Sequence, residues 1–349
     1  MDLVAWETLS FPVVSAAFGA SALLIAVVGT RMTRAADRLA DETGLGEAIF
    51  GAVLLGSTTS IAGITTSVTA AVDGLPSLAI SNAIGGIAAQ TVFLAVADMA
   101  YRPANLEHAA ASVENLLQGA LLSTLLAIPL LGMAGPRLDL FGIHPASVLL
   151  VAGYLYGIHL VAEARSTPYW VARQPDKTLQ DTGAEGRESA ALSTLWLEFV
   201  ALSLVVGAAG YVIAKTGGQV AARTGLSEGL VGGLFTAVST SLPELVPSVA
   251  AVRRGALTLA AGGIIGGNSF DVLFVAFSDV GYQEGSIYHA MTEQQVFIIA
   301  LTLLLTGILL MGLLRRERRG AFGIGFESFL ALVLYFGAFG LWFVCELFA

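Results

Sequence analysis

Along this chain, apolar residues gather into runs of roughly 20, parted by short polar connections. At about 1.5 Å of rise per residue, such a run lets a helix cross the ~30 Å hydrocarbon core of a bilayer. Transmembrane β-strands would instead be short and alternating. The pattern predicts an all-α polytopic membrane protein with ten transmembrane helices. Their spans are about 9–30, 46–71, 77–99, 113–133, 143–163, 191–214, 227–251, 256–280, 295–314 and 326–348. The longest polar connection, 164–190, contains "QPDKTLQDTGAEGRES" and reads as a flexible loop.

The runs are not independent. Residues 43–99, moved by 181 positions, overlie 224–280 without a gap, with 19 identities in 57 positions. "TGLGE" (43–47) meets "TGLSE" (224–228), Thr59-Ser60 meets Thr240-Ser241, and "IGG" (84–86) meets "IGG" (265–267). Phe93 and Asp98 meet Phe274 and Asp279. Unrelated apolar helices would share only ~10% by composition, so the chain is internally duplicated. Each unit holds five spans: 1–163 and 191–349, joined by the 164–190 linker. Five is odd, so the second copy enters the membrane from the opposite side, giving two inverted five-helix repeats. That is the plan of many secondary transporters, whose sites lie near the midplane where Gly- or Pro-interrupted helices of the two copies meet. Spans 2 and 7, and spans 3 and 8, fit that description.

Composition agrees: 56% of residues are hydrophobic and 12% charged, against about 25% charged in a soluble domain. The net charge of −9 says less than the placement of the 17 lysines and arginines. On alternate sides of ten spans, all but Arg137, Lys215 and Arg223 fall on one side. The positive-inside rule then gives an N-out, C-out chain with a cytoplasmic 164–190 linker. The lone Cys345 argues against a disulfide framework or a Cys-based zinc site. "MDLVAWE" has no basic n-region, so no cleaved signal peptide is expected. No HExxH, no GxGD and no serine–histidine pair at a plausible depth occurs, which argues against an intramembrane enzyme. The expected partners are the lipid bilayer and inorganic cations, not nucleic acid, with no cofactor.

Ionisable residues inside spans are costly and mark function by default. Two fall mid-span in the second copy, Glu244 and Asp271. Pro243 removes a backbone donor beside Glu244, freeing carbonyls for a cation. Thr240 and Ser241, one turn earlier, add hydroxyls. Carboxylates, hydroxyls and carbonyls form a hard-oxygen set suited to Na⁺, Ca²⁺ or Mg²⁺. The first copy is neutral at the matching level, with Thr59, Ser60, Asn82 and Gln90. Asn82, Gln90 and Asn268 could ligate through amide oxygens or bond a neighbouring helix. Asp98 and Asp279 lie near helix ends and read as anchors before ligands. His159, the histidine deepest in a span, is expected to be packed and hydrogen-bonded.

These residues resemble the α-repeats of the cation/Ca²⁺ antiporter superfamily, particularly its sodium/calcium exchanger branch. The family pattern is approximately G-T-S-L-P-E, then about twenty residues, then G-N-x-x-G-S-N-x-x-[ND]. "STSLPEL" (239–245) and "GGIIGGNSFD" (262–271) carry it in the second copy, "TTSIAGI" (58–64) and "SNAIGGIAAQ" (81–90) in the first. The resemblance implies a cation site of Glu244, Asp271, Thr240, Ser241, Thr59, Ser60 and Gln90, with backbone carbonyls near Gly56 and Ala237. It also implies exchange of Ca²⁺ or a related cation against Na⁺ or H⁺ by alternating access, helices 1 and 6 sliding over a fixed core. The setting it implies is the cytoplasmic membrane of a prokaryote. A Mg²⁺/H⁺ or Na⁺/H⁺ exchanger of the same fold, or an ion-binding homologue that does not transport, are the alternatives.

The family's first-copy glutamate falls on Gly63. Two midplane carboxylates, Glu244 and Asp271, neutralise one divalent cation, two Na⁺ or two H⁺. Like charges close together in a low dielectric favour proton coupling.

Overall fold

The computed structural model describes residues 4–43, 57–99, 106–138, 142–167, 170, 192–316 and 325–348. Among them, nine helices are long and apolar enough to cross a membrane, with a tenth, shorter one in the second place. They are α1 (Phe11–Leu39), α2 (Ile61–Val72), α3 (Pro76–Asp98), α4 (Val113–Ala134) and α5 (Pro145–Ser166), then α6 (Leu192–Thr224), α7 (Glu228–Arg253), α8 (Leu257–Gly281), α9 (Glu293–Arg315) and α10 (Phe326–Phe348). The part of the expected second span before residue 57 lies outside the described residues, as does Gly56.

Helix starts follow local chemistry. Pro12, Pro76 and Pro145 occupy first-turn positions, where a missing N–H costs nothing. Ser112 accepts from the Asn115 N–H at 3.1 Å, and Thr292 with Gln295 forms a capping box on α9. The 181-residue offset seen in 43–99 governs the whole fold. Phe11, Pro76 and Pro145, where α1, α3 and α5 begin, match Leu192, Leu257 and Phe326, where α6, α8 and α10 begin.

The centre is α3, 94% buried over its apolar stretch, followed by α8 at 72% and α7 at 61%. Helices α2, α7, α8, α9 and α10 pack around α3, while α1 and α6 pack on one another and against α2 and α7. Two close crossings bring that outer pair against α7 and α2. A Cβ at Gly29 of α1 would lie 2.5 Å from Cγ of Pro243 on α7, and one at Gly210 of α6 would lie 2.6 Å from the Ala62 carbonyl oxygen on α2. Gly210 and Pro243 are the offset counterparts of Gly29 and Ala62, so this is one contact made twice. Small residues let backbones approach closely where lipid gives no hydrophobic drive between helices.

The bundle ends repeat the same symmetry. Asp98 accepts from the backbone N–H of Leu106 at 2.8 Å and of Gly325 at 3.2 Å. Asp279 accepts from Ile287 at 3.1 Å and His144 at 2.8 Å, the counterparts of those two. Both aspartates therefore anchor loops. At the next position the copies part. Tyr288 shares a 2.8 Å hydroxyl hydrogen bond with Ser147, whereas its counterpart Glu107 accepts from the Ser328 hydroxyl at 2.8 Å. Burial pushes the Glu107 carboxyl up to about 7; Ser328 opposes the shift and the adjoining Glu327 adds to it. Glu327 in turn pairs with Arg315 at 3.1 Å. His159 is exposed on α5, not packed as expected. The packed histidine is His144, which caps α5 by accepting from the Ala146 N–H at 3.1 Å.

Gly210→Val should lower stability by ~1–3 kcal/mol in detergent thermal unfolding, because the Ala62 backbone cannot yield. Gly19→Ala, with nothing within 4 Å of the new methyl group, should not. Glu107 holds its proton more tightly folded than unfolded, so its contribution is complete below about pH 4.5 and is lost as pH rises through about 7. Glu107→Gln should flatten that part of the melting-temperature profile.

Candidate cation site

Four helices deliver the expected residues to one buried level. From α7 come Thr240, Ser241 and Glu244; from α8, Asn268 and Asp271; from α3, Asn82 and Gln90. Ser60 and Thr59 stand just before α2. Ser60 sits at a break in helical geometry (φ −88°, ψ 0°), while Asp271 lies within α8 beside Val272, whose backbone keeps helical angles (φ −58°, ψ −28°). An interruption such as that at Ser60 leaves backbone groups and side chains turned to one another.

Gln90 and Asp271 are offset counterparts, and they touch. The Gln90 amide donates to Asp271 Oδ2 at 2.6 Å, and the Ser60 hydroxyl donates to Oδ1 at 2.5 Å. The Gln90 amide also reaches the Ser241 hydroxyl at 3.4 Å, and Ser241 is the counterpart of Ser60. The four residues make a nearly symmetric cross, with an amide where its partner has an acid. Thr59 donates to the Glu244 carboxylate, whose charge lies close enough to interact with Asp271.

Asn82 forms a neighbouring cluster. Its amide donates to the Ser67 hydroxyl at 2.9 Å and the Gly63 carbonyl at 3.3 Å. Its oxygen accepts from Thr236 at 2.8 Å and Thr240 at 3.4 Å. Thr240 also donates to the Ala237 carbonyl at 3.2 Å. Asn82 thus has partners on both ends of its amide and ties α3 to α2 and α7. The tie needs a close crossing: a Cβ at Gly85 would lie 2.3 Å from the Gly233 carbonyl oxygen. Gly233 lies in a π-helical stretch of α7, Val231–Thr236, a widened turn often found at functional sites.

Three buried oxygens at this level accept no hydrogen bond: Gln90 Oε1, Glu244 Oε2 and Asn268 Oδ1. Asn268 donates to the Thr91 hydroxyl at 3.2 Å, so its amide group is oriented with the oxygen left over. Among the described residues, no three His, Cys, Asp or Glu side chains converge on one point. A cation here would therefore depend on two carboxylates completed by neutral oxygens. Sequence reasoning missed Thr236. The spacing of Thr236, Thr240, Glu244 and Ser248, each one helical turn apart, was the available signal.

An all-helical bundle of inverted repeats around a buried, oxygen-lined midplane is the construction of a membrane transporter, here of the cation antiport class. The chain belongs to the sodium/calcium exchanger protein family, whose sequence model matches residues 13–162 and 193–344. It is an integral membrane protein. A relative from Alkalimonas amylolytica, named "Putative antiporter CaxA", is 27% identical over 295 residues, covering 83% of this chain and 88% of its own. The membrane protein MJ0091 of Methanocaldococcus jannaschii is 25% identical over 236 residues, covering 68% and 71%. Among solved structures, native YfkE superposes with a TM-score of 0.61 at 14% identity over 94% of this chain and 92% of its own. The sodium-calcium exchanger NCX_Mj gives 0.60 at 16% over 95% and 99%. These two likenesses establish the fold.

Gln90→Glu would face Asp271 with a second carboxylate, and two such groups about 3 Å apart cannot both ionise. The variant should lose ~3–5 kcal/mol at pH 8 and recover on acidification. Tryptophan-detected melting across pH checks it; a flat profile counts against the contact.

Proposed function

We propose that this chain is a secondary antiporter that exchanges Ca²⁺, or a related cation, against Na⁺ or H⁺ in the cytoplasmic membrane of a prokaryote. The carrying observation is the set of three buried oxygens without donors, one of them on the Glu244 carboxylate, beside Asp271. Buried polar atoms are nearly always satisfied, and a hard cation satisfies oxygens that no N–H or O–H reaches. Glu244 and Asp271 supply charge. Thr59 and Ser60 orient those carboxylates, Thr240 and Ser241 add hydroxyl oxygens, and Gln90 and Asn268 add amide oxygens. Asn82 positions Thr240. The Ala237 carbonyl stands by as a further ligand, and Gly56 is assigned from the resemblance alone.

Two formal negative charges match one divalent ion, two Na⁺ or two protons, which favours exchange without net charge movement. Access would alternate as α1 and α6 shift together over the other eight helices. Support for this motion is the matched pair of glycine crossings, Gly29 on Pro243 and Gly210 on Ala62. Each abuts a helix that bears site residues, so movement of the outer pair reaches the site directly. The relatives' names, a putative antiporter and a sodium-calcium exchanger, agree with this reading.

The test is flux in proteoliposomes. Imposed Na⁺ or H⁺ gradients should drive ⁴⁵Ca²⁺ uptake, and Glu244→Gln should cut it by more than about tenfold, a loss of at least ~1.4 kcal/mol of binding. Equal flux from the two proteins would remove Glu244 from the site. Uptake of Mg²⁺ or ²²Na⁺ in place of Ca²⁺ would reassign the ion and keep the site, while saturable binding without flux would mark an ion-binding homologue.

A further inference from the structure

We propose that Phe274 closes the first-repeat half of the site, so that the cation position beside Glu244 has no twin beside Gly63. The inference rests on the cation-site reading above and adds what sets the number of ions. Gly63 and Glu244 are offset counterparts. A side chain deleted at Gly63 and nothing more would leave an open lobe that water or a second cation could fill. Instead, a Cβ at Gly63 would lie 2.5 Å from Cε2 of Phe274, 3.2 Å from Cζ and 3.4 Å from Cδ2. The ring occupies the ground where a longer side chain would begin.

The ring is held there. Phe274 is 4% exposed and meets Phe270 edge-on, centroids 6.2 Å apart at 78°. Phe270 meets Tyr154 edge-on in turn, at 5.6 Å and 71°. The opposite half lacks this support: the counterpart of Phe270 is Ala89, and the counterpart of Phe274, Phe93, is only half-buried. The atoms nearest Gly63 belong to the ring's rim, the electropositive edge of the aromatic quadrupole. A cation on that side would give up its water for a surface that repels it. Phe274 is thus a specificity-determining residue: it removes the second position by filling it with apolar, edge-on carbon.

The experiment has two readouts on the purified full-length protein. The first is packing. Gly63→Ala should lower the melting temperature by several degrees in the wild-type background and much less in Phe274→Ala; Phe274→Leu serves if the alanine variant does not fold. An equal loss in all backgrounds overturns the closure. The second is ion number, from the Ca²⁺-induced rise in melting temperature titrated against Na⁺ and, separately, against H⁺, the slope being read from the ion that competes. By linkage its logarithmic slope should be about two in the wild type and about three in Gly63→Glu/Phe274→Ala. A wild-type slope of three overturns the proposal. A wild type indifferent to both ions overturns the cation-site reading and the ion number with it, while the coupling between positions 63 and 274 still decides the closure.

Discussion

The hydrogen bond between the Gln90 amide and the Asp271 carboxylate joins two residues that hold the same place in the two repeats. Any side chain at that place meets its own counterpart across the symmetry. Two acids would repel, and two amides could bond but would bring no charge. One of each makes a charge-assisted hydrogen bond and leaves the amide oxygen buried without a donor. The serines follow, Ser60 on the acid and Ser241 on the amide, and the break at Ser60 brings its hydroxyl into reach. The crossing of α3 with α7 and α8 serves this centre, which is why α3 is the most enclosed helix.

Away from the centre, symmetry and its loss divide by task. Where the demand is structural, the copies match contact for contact. Asp98 and Asp279 anchor corresponding loops, and Gly29 and Gly210 mark corresponding crossings. Three other positions, each charged in one copy only, depart from the match: Gln90 against Asp271, Gly63 against Glu244, Glu107 against Tyr288. Backbone anchoring is indifferent to which side of the membrane it serves. A transporter works between two unlike solutions, and its charged groups have no reason to be equal.

Much of this was legible in the sequence. Ten apolar runs, a gapless offset and two mid-span acids pointed to the fold and the family and to where the site lies. The offset was read only from 43–99, because α1 and α6 keep few identities on their exposed faces; the structure reveals their match through Gly29 and Gly210. Asn82 could be read as a ligand or as a tie to a neighbouring helix, since composition cannot tell an amide with partners at both ends from one with a spare oxygen. His159 misled for a related reason: depth along a span does not say which face a residue occupies, and α5 exposes that face. The identity of Phe93 with Phe274 concealed the largest difference. The residue type is the same; the neighbours differ, Ala89 on one side and Phe270 on the other, and with them how deeply the ring is buried.

The contact between Gly63 and Phe274 also constrains the history of the chain. A site that has merely lost an acid can regain it in one codon change. Here a glutamate at 63 would collide with a buried ring, and a smaller residue at 274 would first open a void beneath the aromatic stack. Either step alone costs packing, so regaining the acid takes two coordinated substitutions rather than one. The packing of one phenylalanine thereby adds to the number of changes that separate this lopsided charge set from a symmetric one.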